Sequence, residues 1–479
     1  MSDSTFLSPP PITADSMPSR AHTAHHRSAL QHYHDLILRD LRAADEQLEQ
    51  LVQLQRERHV TFGDRVMAHS LRPTFLTEAT YNEVQDTVYL IRQALLTIAA
   101  HVFNDEHVVQ EGLGLDPWEI ELAAIPTNVV RLSALSRMDS FLTKDSFKFV
   151  ELNGESPAGI AYLHELAEIY RSLPIFQTFQ RTFPVRFISP MQHTFSALLH
   201  IYHEQFDGRE ERPSFAIVDY LDTPTIHEFK LLKAYFERMG CPCEVVDPRD
   251  LDCQDGWIYA NGRKIDILYR RLLLNEFYER RDECQAFLEG YRAQKTCYLN
   301  TFRTKLVHKK AVFSFLSDER YTSRLSREQQ EAVRAHIPWT RMLRQEHTTF
   351  RGLKIDLVEF VRNNRSYFVV KPNDEYGGKG VTLGFASTQS EWDAAIQYAV
   401  QGPTRFVVQE VVDIHREPFL MKTDGSWDMV PTIIDLDPYL NGPLMGGCLT
   451  RTSASNLANV TAGGGTLPMF ILRHSYHYE

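Results

Sequence analysis

Seven apolar residues, Tyr81, Val84, Val88, Ile91, Leu95, Ile98 and Val102, follow one another at alternating steps of three and four. On an α-helix that spacing lines all seven up on one stripe, so the segment predicts an amphipathic helix packed on a core. Leu30, Tyr33, Ile37, Leu41, Leu48, Leu51 and Leu54 recur in a similar way and predict an earlier helix over about Ser28 to Phe62. After this helical start come short apolar runs separated by helical or turn segments, the texture of an α/β chain. FKFVELN, FAIVDY, CEVVDP, KIDILYRRL, YFVVKPN, FVVQEVV and MVPTIIDLD read as its strands. From Pro213 to about Leu274 the order is strand, helix, strand, the loop DPRDLDCQDGWIYANGRK, then strand: a βαβ-type module set between two other parts. No internal repeat argues for a solenoid.

At about 150 residues per domain, 479 residues make about three units. We expect a disordered tail at 1–27, a helical region leading into the first core strand at 28–210, the βαβ domain at 211–300, and a last region at 301–479. The tail is rich in Ser, Thr and Pro and cannot offset its own ordering entropy, so His22, His25 and His26 read as solvated rather than metal-bound. Lys and Arg total 51 against 62 Asp and Glu, a net charge of −11 that argues against a general nucleic-acid or anionic-membrane binder but leaves room for a local basic cleft. Six cysteines without a CxxC pair indicate neither a disulfide framework nor a thiolate zinc site. With no run of roughly 20 apolar residues and no secretory layout at the N-terminus, the chain reads as soluble and cytoplasmic.

Four segments carry chemistry. In SYFVVKPNDEYGGKGVTLG, residues 366–384, a strand delivers Lys371 at its end and the turn Gly377-Gly378-Lys379-Gly380 follows. Glycines let backbone N–H groups approach phosphate oxygens and a lysine adds a point charge; a plain glycine turn beside a surface lysine is the competing reading. In FKFVELNGESPAG, Glu151 and Asn153 share one face of a strand and offer hard oxygen ligands suited to Mg²⁺, to which Glu375 adds a third; a solvated strand edge is the alternative. In FVVQEVVD, residues 406–413, Gln409 and Glu410 interrupt a hydrophobic strand whose backbone could meet adenine edges while the carboxylate takes a ribose hydroxyl or an amino group; an ordinary buried strand with one polar pair at its edge is the competing reading. Arg451, Asn459 and Gly463 to Gly465 crowd the segment 446–472, either as a clamp on phosphoryl and carboxyl oxygens or as a surface turn.

Taken in order, SRMDSF at 136–141 leading into FVELNGESPAG, the central insert ending in ILYRRL, VVKPNDEYGGKG, VVQEVV and LTRTSASNLANVTAGGG resemble the circularly permuted ATP-grasp ligases, whose relatives include eukaryotic-type glutathione synthetase and the synthetase half of glutathionylspermidine synthetase. The resemblance spans most of residues 115–472. It implies a circularly permuted ATP-grasp fold with a helical N-terminal region and an inserted Rossmann-like βαβ domain, and ATP and Mg²⁺ as cofactors. Within it, Glu151, Asn153 and Glu375 look like the metal ligands, Lys371 like the lysine on the ATP phosphates, and Gly377, Gly378 and Gly380 like the loop that closes over a nucleotide also held at Gln409 and Glu410. Lys305 is similar in position to the family's second nucleotide lysine, with Lys309 or Lys310 as alternatives because the following segment is shorter than in glutathione synthetase. Arg137 and Arg451 match arginines that stabilise an acyl phosphate or anchor a substrate carboxylate. Arg270 or Arg271, with Asn459 and Gly464, would face the substrate.

The implied reaction joins a small-molecule or peptide carboxylate to an amine through an acyl phosphate, releasing ADP and phosphate, by positioning and electrostatic stabilisation rather than by a side-chain nucleophile. Phosphotransfer to a non-carboxylate acceptor and an ATP-binding pseudoenzyme or scaffold are the alternatives. The expected partners are the two substrates, with neither nucleic acid nor membrane, and a homodimer is compatible with the sequence.

Overall fold

The stripe from Tyr81 to Ile98 is buried as its spacing requires, on the helix Glu78–Val102 of a computed structural model that describes residues 24–144, 146–206, 210–442, 444–454 and 465–473. The expected earlier helix is two, Ala24–Arg39 and Leu41–Glu57. They part at Asp40, whose side chain accepts the Ala43 N–H at 3.0 Å and so caps the second. Residues 24–27, expected in the tail, belong to the first of these helices, and His26 is buried with a ring nitrogen 2.9 Å from the Phe75 carbonyl oxygen rather than solvated. His22 lies outside the described residues.

Three larger sheets follow. The first is six-stranded and antiparallel: Gly465–Leu467, Leu444–Ser453, Ser426–Asn441, Leu135–Leu142 and Phe147–Asn153 lie side by side, and Arg416–Thr423 pairs with the long strand Ser426–Asn441. SRMDSF is thus part of a strand that the sequence reading did not assign. The second sheet is parallel, in the order Cys297–Leu299, Ile267–Arg270, Phe215–Val218, Cys243–Val246, with the helix Ile226–Arg238 joining the last two as the βαβ pattern predicts. The third joins Thr340–Met342, Phe406–Glu410, Phe368–Pro372 and Thr382–Leu383 in antiparallel register.

The stretch read as a loop, residues 247–264, instead carries the strands Leu251–Gln254, Trp257–Ala260 and Arg263–Lys264. Its reversals fall at Asp255-Gly256 and Asn261-Gly262, all four at positive φ, the conformation that tight two-residue hairpin turns require.

One hydrophobic core contains Ala29, Tyr81, Phe149, Phe313, Leu436 and Leu472, so residues over 440 positions apart bury their apolar surface together. The chain closes on itself in the same place, Met469–Leu472 pairing parallel with Thr74–Thr77. Among the described residues no helix is long and apolar enough to cross a membrane.

Candidate active site

All three larger sheets contribute to one cavity of about 1060 Å³. Asp219 and Arg271 reach it from just past the carboxyl ends of the parallel strands Phe215–Val218 and Ile267–Arg270, the end at which open α/β sheets present ligand sites. Arg137, Asp139, Glu151 and Asn153 come from two neighbouring strands of the six-stranded sheet, and Lys371, Gln409 and Glu410 from neighbouring strands of the third.

The Glu-x-Asn spacing does what period two demands. Glu151 and Asn153 are both half-buried and line the cavity, while Leu152 between them is buried on the other face. In register they face Asp139 and Arg137, and the Asn153 amide donates to Asp139 Oδ1 at 2.9 Å. Lys310 Nζ is 3.0 Å from Glu151 Oε1 and donates to the Glu375 carbonyl oxygen, so one ammonium bridges the two segments that bear the expected metal ligands. The Glu375 carboxylate itself meets Lys379 Nζ at 3.4 Å. Glu151, Asn153 and Glu375 all line the cavity, and their oxygens are the hard donors that suit a magnesium ion.

Lys371 Nζ donates to Gln409 Oε1 at 2.7 Å, and the Gln409 amide donates to Thr340 Oγ1 at 3.0 Å. Gln409, itself held by Thr340, thereby fixes the position of the lysine. Burial lowers the Lys371 pKa to about 8, with the Glu151 carboxylate opposing the shift. Gly377 and Gly378 line the same cavity and Gly380 adjoins it; all three are at positive φ, and a Cβ on Gly380 would come within 2.7 Å of the Pro372 ring. Glu410 lies at the rim in an ion pair with Arg351, 2.7 Å, from a hairpin tip.

Arg137 and Arg451 both line the cavity but neither is a free cation. Arg137 grips Asp139 with two bonds, 2.8 and 3.0 Å, and donates to the Ala158 carbonyl at 3.1 Å. Arg451 contacts Asp139 at 2.7 Å, Asp437 at 3.0 Å and Asp435. Burial alone would raise the Asp139 pKa, yet the two guanidiniums hold it at about 2, whereas burial raises Asp435 and pushes Asp437 well above the usual carboxylate range. Three carboxylates against two guanidiniums leave one negative charge among these five side chains. These Asp oxygens lie within 4.8 Å of one another, but a cation there would compete with Arg451.

Two expected residues are elsewhere. Lys305 is not in the cavity: its side chain is 1% exposed and pairs with Glu155, Asp374 and Glu119 at 3.2, 2.8 and 3.6 Å. Lys309 is held in the same cluster, and of the three candidate lysines only Lys310 lines the cleft. Arg270 is fully buried on Glu155, the Leu272 and Asn300 carbonyls and Thr304, so of the arginine pair only Arg271 faces the cavity, braced by Glu228, Tyr269 and the Pro157 carbonyl. Asn459 and Gly464 lie outside the described residues.

The sequence reading also missed an acidic end. Asp219 is 8% exposed and accepts only the Tyr220 N–H, at 2.8 Å; Glu276 accepts the Leu273 N–H at 3.2 Å. Both line the cavity and neither makes an ion pair among the described residues. Burial raises the Asp219 carboxyl to about 7; the Arg271 guanidinium opposes the shift and the nearby Glu276 charge adds to it. The signal for Asp139 and the Asp435/Asp437 pair was present, as charges alternating with Met or Leu inside strands; nothing local marked Asp219 or Glu276.

The profile of the family described as circularly permuted ATP-grasp type 2 matches residues 141–453. An uncharacterized protein of Mycobacterium bovis is 23% identical over 400 residues, covering 78% of this chain, and the chain spans only 64% of that relative's length. One from Synechocystis is 23% identical over 346 residues, covering 68% of this chain and 66% of its own. Among solved structures, a glutathione synthetase-like effector of Globodera pallida superposes with a TM-score of 0.56 at 10% identity, over 88% of this chain and 96% of the effector, a likeness of fold alone. With well over half of its length matched, from the strand preceding the Glu-x-Asn pair to the strand bearing Arg451, the chain belongs to the circularly permuted ATP-grasp type 2 family.

Proposed function

We propose that this protein is an ATP-dependent carboxylate–amine ligase. The observation that carries the reading is the convergence, in one cavity, of Glu151, Asn153, Lys310, Lys371 and Glu375 at one part and the unpaired carboxylates of Asp219 and Glu276 at another. The first group suits a polyphosphate with a divalent cation. The second suits a substrate that carries an ammonium group: neither carboxylate is in ion-pair contact with a cation of the chain among the described residues, the Arg271 charge only partly offsets the burial of Asp219, and an amine brought beside the two would supply the rest.

In this reading Glu151, Asn153 and Glu375 hold Mg²⁺, which when bound screens the phosphate charge. Lys371 leaves Gln409, and Lys310 leaves Glu151, to meet phosphate oxygens. A substrate carboxylate oxygen attacks the γ-phosphorus of ATP and ADP departs; a neutral amine nitrogen then displaces phosphate from the acyl phosphate, its N–H proton leaving with the phosphate, to give the amide. Arg137 and Arg451, fixed by Asp139, Asp435 and Asp437, orient their remaining N–H groups on the reacting oxygens as pre-aimed donors. The chain's own contribution is therefore alignment and fixed charge.

Incubating the protein with ATP, Mg²⁺ and a pooled metabolite extract, then separating nucleotides and searching by mass spectrometry for a product formed with loss of water, tests this. ADP with a new amide is expected, and Glu151→Gln abolishes it. AMP as the nucleotide product contradicts the acyl-phosphate route, and a phosphorylated non-carboxylate product would establish phosphotransfer instead.

A further inference from the structure

Behind the cleft lies a set of buried charges that the proposed chemistry does not use. Glu119, Glu155 and Asp374 face Lys305, Lys309 and Arg270. Lys309 is 2.8 Å from both Glu119 and Asp374, Lys305 is 2.8 Å from Asp374 and 3.2 Å from Glu155, and Arg270 is 3.2 Å from Glu155. Three anions meet three cations, and His308 completes the group, its Nε2 3.6 Å from Asp374 and 3.7 Å from Glu155. Five of the six charged side chains are at most 4% exposed, and Asp374, at 24%, is the most exposed of them. Buried ion pairs are a costly way to hold a core together, and apolar residues of similar volume serve at least as well. What the ions add is geometry.

The geometry converges on one short stretch of backbone. Asn373, beside Asp374, accepts the Lys310 N–H on its carbonyl at 3.0 Å and the Ala311 N–H on Oδ1 at 2.8 Å, and its amide donates to the Leu113 carbonyl at 2.8 Å. Asp374 is clamped by two ammonium groups. After it the side-chain anchoring thins: the Glu375 carbonyl still accepts Lys310 Nζ, but the Glu375 carboxylate meets only the side chain of Lys379, itself 77% exposed, and Gly377, Gly378 and Gly380 all take positive φ. Asp374 is thus the last residue fixed by its side chain before the glycine loop. Glu119, one of the clamp's outer members, comes from the helix Pro117–Ala124, ahead of the span that matches the family.

We infer that Asp374 is a positioning residue, whose carboxylate, pinned by Lys305 and Lys309, sets the place from which Glu375 reaches the divalent cation and from which the glycine loop departs. The inference rests on the reading of Glu375 as a cation ligand. It assigns Lys305 and Lys309 a role different from phosphate binding, and leaves Lys310 as the lysine of this group that serves the nucleotide.

The test measures binding of Mn²⁺ to the full chain, with a non-hydrolysable ATP analogue present, by loss of the free-ion paramagnetic resonance signal. Asp374→Asn removes the charge, and Asp374→Glu keeps the cluster neutral while moving the carboxylate by one methylene, so a fold failure of the first leaves the second to decide. We expect Mn²⁺ affinity to fall by about tenfold or more, the usual consequence of losing a partner that orients a metal ligand, while affinity for the analogue in EDTA stays within about twofold of wild type. A residue that only stabilises the fold would not separate the metal from the nucleotide in this way. Wild-type-like Mn²⁺ binding by both folded variants, or by the glutamate variant alone if the asparagine variant fails to fold, overturns the inference and leaves the ligase reading standing. Absence of Mn²⁺ binding by the wild-type chain overturns the cation reading itself, and the inference with it.

Discussion

Replacing Asp219 with Asn is expected to make the protein more stable while weakening its hold on an amine substrate. The residue is 8% exposed, its carboxylate has one hydrogen bond from the Tyr220 N–H and no ion pair among the described residues, and burial, opposed in part by the Arg271 charge, raises its pKa from 3.8 to about 7. A carboxyl whose pKa is raised on folding keeps its proton longer in the native state than in the unfolded chain. Stability therefore falls as pH rises from about 4 to about 7 and is flat above that. A shift of about three units at about 1.4 kcal/mol each sets an upper bound of about 4 kcal/mol on the loss, and relaxation and water in the cavity reduce the realised value to about 1–3 kcal/mol. Asparagine has the same shape and can still accept the Tyr220 N–H, so the variant should recover that energy. Urea unfolding should show the variant more stable than wild type at pH 8, with the gain shrinking at pH 5. Equal or lower stability at pH 8, or a difference that ignores pH, would refute the reasoning that Asp219 is a buried anion only partly offset by the Arg271 charge and kept for its ligand.

Other outcomes follow from the same geometry. Lys310→Met should weaken nucleotide binding by about 10–150-fold, the equivalent of about 1.5–3 kcal/mol for a charge-assisted contact, as read by titration with a fluorescent ATP analogue; an unchanged affinity counts against Lys310 as the phosphate lysine. Because burial lowers Lys371 to about 8, it is partly neutral at pH 8–9, and phosphate contact should restore its proton. Calorimetry in buffers of different ionisation enthalpy should detect that uptake, with affinity falling by up to about tenfold per pH unit above 8. Asn300→Ala removes the acceptor of the Ala134 and Leu135 N–H groups and the donor to the Leu135 and Glu155 carbonyls. At about 1 kcal/mol per lost bond it should cost about 3–4 kcal/mol in urea unfolding, and a loss under about 1 kcal/mol would contradict it.

The parts of the site legible in the sequence are those fixed by local periodicity. Glu151 and Asn153 share a strand face because alternate residues must, and Lys371 sits at a strand end with positive-φ glycines after it for the same local reasons. The choice among Lys305, Lys309 and Lys310 was not local. Three lysines within six residues differ in which carboxylates the fold brings to them, and Glu119 and Asp374 are more than 60 positions from Lys305. Arg270 and Arg271 pose the same problem in adjacent residues: alternation sends them to opposite faces, and only the packing of Glu155 and Glu228 decides which face is the cavity. The hairpins in residues 247–264 were legible, since Asp-Gly and Asn-Gly between apolar runs are turn signals, and reading that stretch as a loop passed over them. The acidic end was out of reach, because Asp219 and Glu276 come together only through the parallel sheet and the helix after it.

The central claim is that a divalent cation and a nucleotide meet between the Glu-x-Asn strand and the glycine loop. Anomalous diffraction from crystals grown with Mn²⁺ and a non-hydrolysable ATP analogue tests it most directly. The predicted peak is coordinated by Glu151, Asn153 and Glu375, with the analogue's phosphates beside Lys371 and Lys310. A peak seated instead on Asp139, Asp435 and Asp437, or nucleotide bound away from Lys371, would contradict the account.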